Sequence, residues 1–252
     1  MGADAEIISA FHLGDFGMRF VLSALLCLAT PVAADDADFV RSNLTAILYH
    51  EFGHALIDIL GLPVFGQEED AADVASILLI DALYEEAGAT DIAIDAAFGF
   101  LAEAEAVGDE IAWWDVHGPD LQRYYNLVCL FAGADLESRS DIALELDLPQ
   151  ERLDSCGEEF DIAYDSWGPV LDEISGAGQS MTYVGPKAGL SAEVVSEEVA
   201  VFNDLFHLPE PLEFRVEPCG EANAYYDPEA VSITLCTEFE DWLFEQAPLT
   251  RM

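Results

Sequence analysis

Two histidines and a glutamate stand close together in the run YHEFGH at residues 49–54. His50 and His54 are four residues apart, which places both imidazoles on one face of a helix. Two imidazoles with this spacing can take two corners of a Zn2+ site. Glu51, beside the first of them, is placed to act as general base for a bound water. Two ordinary helix histidines are the alternative interpretation, since chance matches to this pattern occur.

The residues around this run predict the helix that would position it. The flanking positions are apolar at helical spacing. Ser42 or Asn43 can cap the start of the helix, and Gly61 followed by Pro63 can end it. The sequence therefore predicts a helix over 43–60, preceded by a short acidic lead.

A second helix is predicted at 68–87, and its first turns carry two carboxylates with the same four-residue spacing, Glu69 and Asp73. Zinc peptidases of the gluzincin type take their third ligand from a glutamate on the following helix, and Glu69 in an E-x-x-A-D pattern fits that role. Asp73 fits as the acceptor for the free N–H of a zinc-bound histidine. Glu68 is the competing candidate ligand. An acidic first turn that only favours the helix dipole is the remaining alternative.

His117 lies farther along the chain, in a predicted loop before another helix. Asp115 is near enough in sequence to orient its ring, and Arg123, Tyr124 and Tyr125 follow behind it. His117 is therefore a candidate catalytic donor to a developing oxyanion, a role worth about 3 kcal/mol. A surface-loop histidine without a catalytic role is the alternative.

The charge balance of the chain excludes some classes of partner. Its 252 residues include 50 acidic and 8 basic side chains, a formal net charge of −42. Such a chain repels nucleic acid and anionic membranes. The acidic residues are spread along the chain, which favours a solvated surface over a cation store. Nothing in the sequence indicates the oligomeric state.

The N-terminal residues have the pattern of a secretion signal. Met18 begins a short basic segment, an apolar run covers 20–30, and small residues lead to Ala34. We expect residues 1–34 to be an N-terminal extension and signal peptide, with Met18 as the true start and cleavage near Ala34. The apolar run is short for a membrane span. The mature domain, 35–252, is then secreted or periplasmic, with no membrane association after cleavage.

Cysteine content agrees with an oxidising compartment. Beyond the predicted signal the chain has four cysteines, an even number. Four cysteines allow three pairings. Neighbourhood in the sequence favours disulfides Cys129–Cys156 and Cys219–Cys236.

The fold class follows from a change of pattern along the chain. Helical periodicity dominates the first part, although Gly168-Pro169 is expected to interrupt a helix at 158–174. A Gly-rich stretch at 176–180 is a possible sub-boundary. After it, strands are predicted at 181–184, 213–216 and 231–235, with helices at 192–205 and 237–246. We therefore expect an α+β fold, a helix-rich domain with a small C-terminal β-element.

Four segments together resemble a known protein family. They are 48–58, 66–73, 122–129 with the preceding His117, and 219–228. Taken together they are similar to a family of secreted bacterial proteins of unknown function that is classed as metallopeptidases with a zincin-like active site. The resemblance implies Zn2+ and hydrolysis of a peptide or protein substrate. It names no particular substrate.

Two classes of function follow from these residues. The first is a secreted zinc metallopeptidase that hydrolyses peptide bonds with a zinc-activated water and Glu51 as general base. The second is a catalytically silent, metal-stabilised binding protein on a zincin scaffold. The intact Glu51 favours the first. We also expect the strand at 231–235 to pack beside the histidine helix as an edge of the substrate cleft. A disulfide-pinned hairpin that only caps the core is the alternative for that strand.

Overall fold

The YHEFGH run lies in the middle of the longest helix of the computed structural model, which describes residues 36–247. The described chain runs through eight helices and four strands. In order they are α1 (Asp36–Leu60), α2 (Glu68–Leu83), α3 (Glu86–Val107), α4 (Asp120–Ala134), α5 (Leu136–Glu145), α6 (Gln150–Glu173), β1 (Met181–Val184), α7 (Leu190–Leu205), β2 (Leu212–Glu217), β3 (Ala224–Asp227), β4 (Ser232–Cys236) and α8 (Thr237–Gln246).

The predicted fold class is confirmed, because the described residues are 65% helical and form one small mixed sheet near the C-terminal end. The strand order is β1-β2-β4-β3. β1 and β4 both pair with β2 in parallel, while β3 pairs with β4 in the antiparallel direction. β3 is therefore an edge strand, and β4 is an interior strand of the sheet.

Helix α1 starts earlier than the sequence pattern predicts. It begins at Asp36, so the acidic lead forms its first turns, where Asp36 and Asp38 favour the positive end of the helix dipole. Asn43 does not cap this helix. Its side-chain amide donates to the backbone carbonyls of Phe39 and Asp95, at 2.9 and 3.1 Å. The first bond lies within α1, and the second joins α1 to α3.

One face of α1 packs on the sheet through aromatic rings. Phe52 stacks on Phe202 of α7, with ring centroids 4.4 Å apart, and lies 6.1 Å from the ring of Phe214 in β2. All three side chains are fully buried. Burial of this size anchors the helix by several kcal/mol, at about 1.5–3 kcal/mol for each large apolar side chain. The histidines of the motif leave α1 next to this core.

Helix α2 approaches α1 closely because Gly53 has no side chain. A Cβ at this position would lie 3.0 Å from Ala72 Cα and 3.2 Å from Ala75 Cβ. Contacts of that length are tighter than most Cβ contacts, so a larger residue would require the two helices to shift apart by a few tenths of an ångström. The close approach brings the first turns of α2 against the histidines.

The structure departs from the sequence pattern at three further places. The helix predicted at 68–87 ends earlier, because α2 stops at Leu83 and α3 begins at Glu86. Pro169 does not interrupt a helix, because α6 continues through it to Glu173. It stands in the last turns of α6, so the loss of its N–H removes one hydrogen bond near the helix end and does not stop the helix. The strand predicted at 231–235 is present as β4, shifted by one residue, whereas β3 within the 219–228 segment was not predicted and forms one edge of the sheet. Val231 lies just outside β4, with a φ of +48°.

Both predicted cysteine pairs are bonded in the structure. Cys129–Cys156 ties α4 to α6, and Cys219–Cys236 ties the segment after β2 to the end of β4. The separations of 27 and 17 residues restrict the unfolded chain by about 3 kcal/mol each. Replacing Cys129 and Cys156 together by Ala should lower the free energy of unfolding by at least that amount, since both are also buried. Urea titration followed by circular dichroism would measure it, and an unchanged midpoint would contradict the expectation.

The charge predicts that stability rises with salt. Acidic side chains outnumber basic ones by 50 to 8, so most charge contacts on the surface are repulsive. Added salt screens them over a Debye length of about 10 Å at 0.1 M. We expect the melting temperature to increase from low salt to about 1 M salt. A scan in which it falls would show that the few ion pairs outweigh the repulsion.

No helix among residues 36–247 is long and apolar enough to cross a membrane. The predicted signal peptide and cleavage site near Ala34 lie outside the described residues. The two disulfides are typical of an oxidising compartment.

Candidate metal centre

Three ligand atoms from α1 and α2 converge on one point. The Nε2 atoms of His50 and His54 are 3.2 Å apart. Glu69 Oε2 lies 3.3 Å from His50 Nε2 and 3.1 Å from His54 Nε2. Both histidines are buried, and Glu69 is half-buried. The three side chains form a group that could hold a metal ion.

The spacing of these atoms fits a small tetrahedral cation. Zn2+ bound by His nitrogen and carboxylate oxygen at about 2.0–2.1 Å requires ligand atoms about 3.3 Å apart. The three measured separations, 3.1, 3.2 and 3.3 Å, match the edges of such a tetrahedron. Three protein ligands leave a fourth corner, which is the pattern of a catalytic rather than a structural site.

The other ring nitrogen of each histidine meets a carboxylate. His54 Nδ1 is 2.8 Å from Glu68 Oε1. His50 Nδ1 is 2.7 Å from Asp73 Oδ1, a short charge contact that is bent away from hydrogen-bond geometry. Carboxylates at Nδ1 favour the tautomer whose Nε2 lone pair is free for a metal. Glu68, which was the competing ligand in the sequence, thus contacts the outer side of His54.

Arg123 of α4 holds Asp73 in place. Its Nε and one Nη donate to the two oxygens of Asp73, both at 2.8 Å. Its guanidinium also lies over the ring of Phe100, 4.3 Å from the centroid. A bidentate pair of this kind fixes a carboxylate in both position and orientation. Arg123 therefore acts on His50 through Asp73.

We predict that Arg123→Met weakens the metal centre without removing a ligand. Asp73 would lose its bidentate partner, and His50 would lose part of its orientation. Changes one contact away from a metal typically cost about 10–100-fold in affinity. Competition with a zinc-sensitive dye would measure the dissociation constant. Arg215→Met, at a partly exposed ion pair with Glu213 in β2, is the matched control. Equal affinity in both variants would remove this role from Arg123.

The electrostatics of the cluster favour positive charge. Burial lowers the pKa of His50, but Asp73 and Glu69 outweigh this effect and raise it to about 9. Burial raises the pKa of Glu69, yet hydrogen bonds from His117, His50 and His54 bring it well below its usual range. The carboxylate is thus held ionised, and the carboxylates around the imidazoles favour a positive charge at this point, either a proton or a metal cation. This is the potential that a divalent metal requires.

Glu51 lies beside the ligand atoms, almost fully buried at 5% exposure. Burial raises its pKa, while the neighbouring His50 and His54 pull it back. A backbone hydrogen bond from Tyr226 in β3 also lowers it. The Tyr226 hydroxyl donates in turn to Asp58, two turns farther along α1, at 2.7 Å. The edge strand is therefore fastened along the helix that presents Glu51.

His117 reaches the same cluster from the loop between α3 and α4. Its Nε2 lies 2.9 Å from Glu69 Oε2, and its Nδ1 lies 3.4 Å from Asp115. The side chain is 43% exposed, so it stands at the mouth of the site. Tyr124, which was expected behind it, is directed elsewhere, since its hydroxyl donates to the Leu146 carbonyl.

A comparison with protein families agrees with this geometry. A sequence model of the family described as "Putative metallopeptidase" matches residues 29–171 and 186–246. The chain belongs to this metallopeptidase family. The match spans the histidine helix, the carboxylates of α2, His117 and the edge strand. No curated protein and no solved structure matches the chain.

Membership in the metallopeptidase family supports a hydrolase that acts on peptides, and a metal is implied by the family description together with the His-His-Glu group. Sequence reasoning overlooked three contacts of the site: Arg123 on Asp73, Glu68 on His54, and Tyr226 on Glu51. No sequence pattern marks the Arg123–Asp73 or Tyr226–Glu51 pair. For Glu68–His54 the only signal was the acidic run that contains Glu68. The three contacts depend on how separate elements pack.

Proposed function

We propose that the protein is a secreted, zinc-dependent peptidase in which His50, His54 and Glu69 hold the metal. The observation that carries this proposal is the convergence of three ligand atoms at 3.1–3.3 Å beside a buried carboxyl group. Two nitrogens and one oxygen form the donor set of many catalytic zinc sites. The predicted signal and the two disulfides support export from the cell.

Glu51 is the general base in this proposal. A bound Zn2+ would lower the pKa of a coordinated water toward about 7 and polarise a substrate carbonyl. Glu51 accepts the proton of that water, and its raised pKa makes it a better base than an exposed carboxylate. The same group then returns the proton to the leaving amine. Asp73 and Glu68 hold the two imidazoles in the required tautomer.

His117 is the proposed donor to the developing oxyanion. Its ring stands at the exposed side of Glu69, and Asp115 lies within reach of its other nitrogen. Hydrogen bonds to Glu69 raise the pKa of His117, burial lowers it, and the balance favours the protonated donor form. A single donor of this kind is worth about 3 kcal/mol of transition-state stabilisation.

The edge strand β3 is the proposed docking site for the peptide backbone. It is one of the two outer strands of the described sheet, and Tyr226 connects it to Glu51 and to Asp58. An extended peptide can add to such an edge through backbone hydrogen bonds that are independent of its sequence. This role falls to β3 and not to the 231–235 segment, because β4 is already paired on both sides.

The proposal is tested by metal analysis and a cleavage assay on the same purified protein. We expect about one zinc per chain by mass spectrometry of the metal content. We also expect cleavage of a quenched-fluorescent peptide library, inhibition by a chelator, and recovery on adding zinc. Bound metal with no cleavage across the library would favour a catalytically silent binding protein. Cleavage that withstands complete metal removal would overturn the zinc mechanism.

A further inference from the structure

A large cavity lies behind the metal centre. It has a volume of about 720 Å3 and is lined from α1, α2, α3, α4, α6 and α8. It reaches the metal centre through His50 and Asp73, whereas Glu51, His54 and Glu69 are not among its lining residues. The cavity is therefore separate from the place where the ligand atoms converge. Its volume lies within the range of about 300–1,000 Å3 that is typical of small-molecule sites.

The walls of this cavity are mostly aliphatic and aromatic. They include Ile47, Ile77, Phe100, Leu127, Trp167 and Trp242. A molecule that enters gains about 25 cal/mol for each Å2 of apolar surface removed from water. The walls thus select for an alkyl or aromatic group.

The two guanidinium groups that face the cavity are already paired with carboxylates that also face it. Arg123 is held by both oxygens of Asp73. Arg152 donates to Glu159, with Nη2 and Oε2 2.7 Å apart. An anionic ligand would have to compete with these carboxylates for its partner. The described lining thus offers no unpaired cation to an anion.

Glu103 of α3 lines the cavity with its carboxylate unpaired. It is half-buried, and the described residues make no hydrogen bond or ion pair with that carboxylate. Burial and the nearby Asp120 raise the pKa of Glu103 to about 7, against the lowering effect of Arg123. Asp70 adds a further carboxylate to the lining. A partly desolvated carboxylate beside an apolar wall is suited to an ammonium group.

We propose that this cavity binds a small molecule that joins an apolar chain to a cationic amine, with the amine at Glu103 and the chain against the tryptophan-containing walls. The proposal does not depend on peptidase activity, since the residues assigned to the ligand, Glu103 and the apolar walls, are neither metal ligands nor the general base. The acidic surface favours the same ligand class, because a net charge of −42 attracts cations and repels anionic amphiphiles.

Three probes with the same eight-carbon chain test the proposal: octylammonium, octan-1-ol and octanoate. They are titrated into the purified protein at about pH 8, where an amine remains charged like a lysine side chain. Binding is measured by calorimetry and by the fluorescence of Trp167 and Trp242. We expect octylammonium to bind at least about tenfold more tightly than octan-1-ol, and octanoate to bind weakest.

Three variants locate the binding. Glu103→Gln should weaken octylammonium binding about tenfold and leave octan-1-ol unchanged, since only the charge contact is lost. Glu105→Gln, two residues along α3 at an exposed position, is the matched control and should change neither. Ala163→Trp, which fills part of the cavity, should reduce binding of both probes. Circular dichroism checks that this last variant folds. If Ala163→Trp does not fold, the proposal is judged from the three probes on the native protein and on Glu103→Gln.

The proposal is overturned if octanoate binds as tightly as octylammonium, or if neither octylammonium nor octan-1-ol binds. It is also overturned if Glu103→Gln and Glu105→Gln have the same effect. None of these binding measurements depends on cleavage activity. Failure of the cavity proposal is therefore distinguishable from failure of the peptidase proposal.

Discussion

Replacing Glu51 by Gln should abolish peptide hydrolysis while the metal stays bound. Gln has nearly the same shape but cannot accept the proton of the attacking water. Loss of a general base costs about 10²–10⁴-fold in rate. Glu51 is not one of the three converging ligands, so zinc content should remain at about one per chain. The measurement is kcat/KM on a cleaved library peptide, together with metal analysis of the same sample.

Glu145→Gln is the control for this experiment. Glu145 is an exposed glutamate at the end of α5, so the same chemical change should leave kcat/KM unchanged. The melting temperature of Glu51→Gln is measured as well, because Glu51 is buried and contacts Tyr226, and the comparison separates a loss of activity from a loss of folding. If Glu51→Gln cleaves at the native rate, the proton transfer proposed for this residue is wrong.

Replacing Glu69 by Ala should empty the metal centre. This change removes the oxygen that lies 3.1 and 3.3 Å from the two Nε2 atoms and leaves only the imidazoles. We expect a loss of zinc affinity of more than about 100-fold, beyond the range for residues that only support a ligand. Dialysis against a zinc buffer followed by metal analysis measures it. The melting temperature should also lose its dependence on added zinc.

Glu68→Ala is the matched comparison, because it removes the neighbouring carboxylate on the same helix. Glu68 contacts His54 Nδ1 and not the Nε2 side. Its loss should therefore weaken zinc binding by only about 10–100-fold. The two variants together distinguish a ligand from a supporting residue. A larger loss in Glu68→Ala than in Glu69→Ala would exchange the two assignments.

The sequence alone determined those features that depend on local geometry. His50 and His54 lie on one face of α1 because the helical repeat brings residues four apart together, whatever the rest of the chain does. The cysteine pairs were also predictable, since their partners are near neighbours along the chain. Hydrophobic periodicity gave the helix-rich α+β class for the same reason.

The start of α1 and the continuity of α6 were harder to predict, because each depends on weak local preferences. The segment 36–42 is too short to show a helical period by itself, yet it forms the first turns of α1, with Phe39 and Val40 buried in the core. Proline is unfavourable in a helix interior, but α6 continues through Pro169 to Glu173. Packing outweighed propensity in both places.

The tertiary structure alone decided how the candidate site is completed. Glu68 and Glu69 are adjacent, but successive helical residues point about 100° apart, so only the packing of α2 against Gly53 decides which carboxylate reaches the Nε2 atoms. Arg123 meets Asp73 from 50 residues away, and Tyr226 meets Asp58 from 168 residues away. Such contacts leave no periodic signal in the chain, because they are set by the docking of whole elements around a common core.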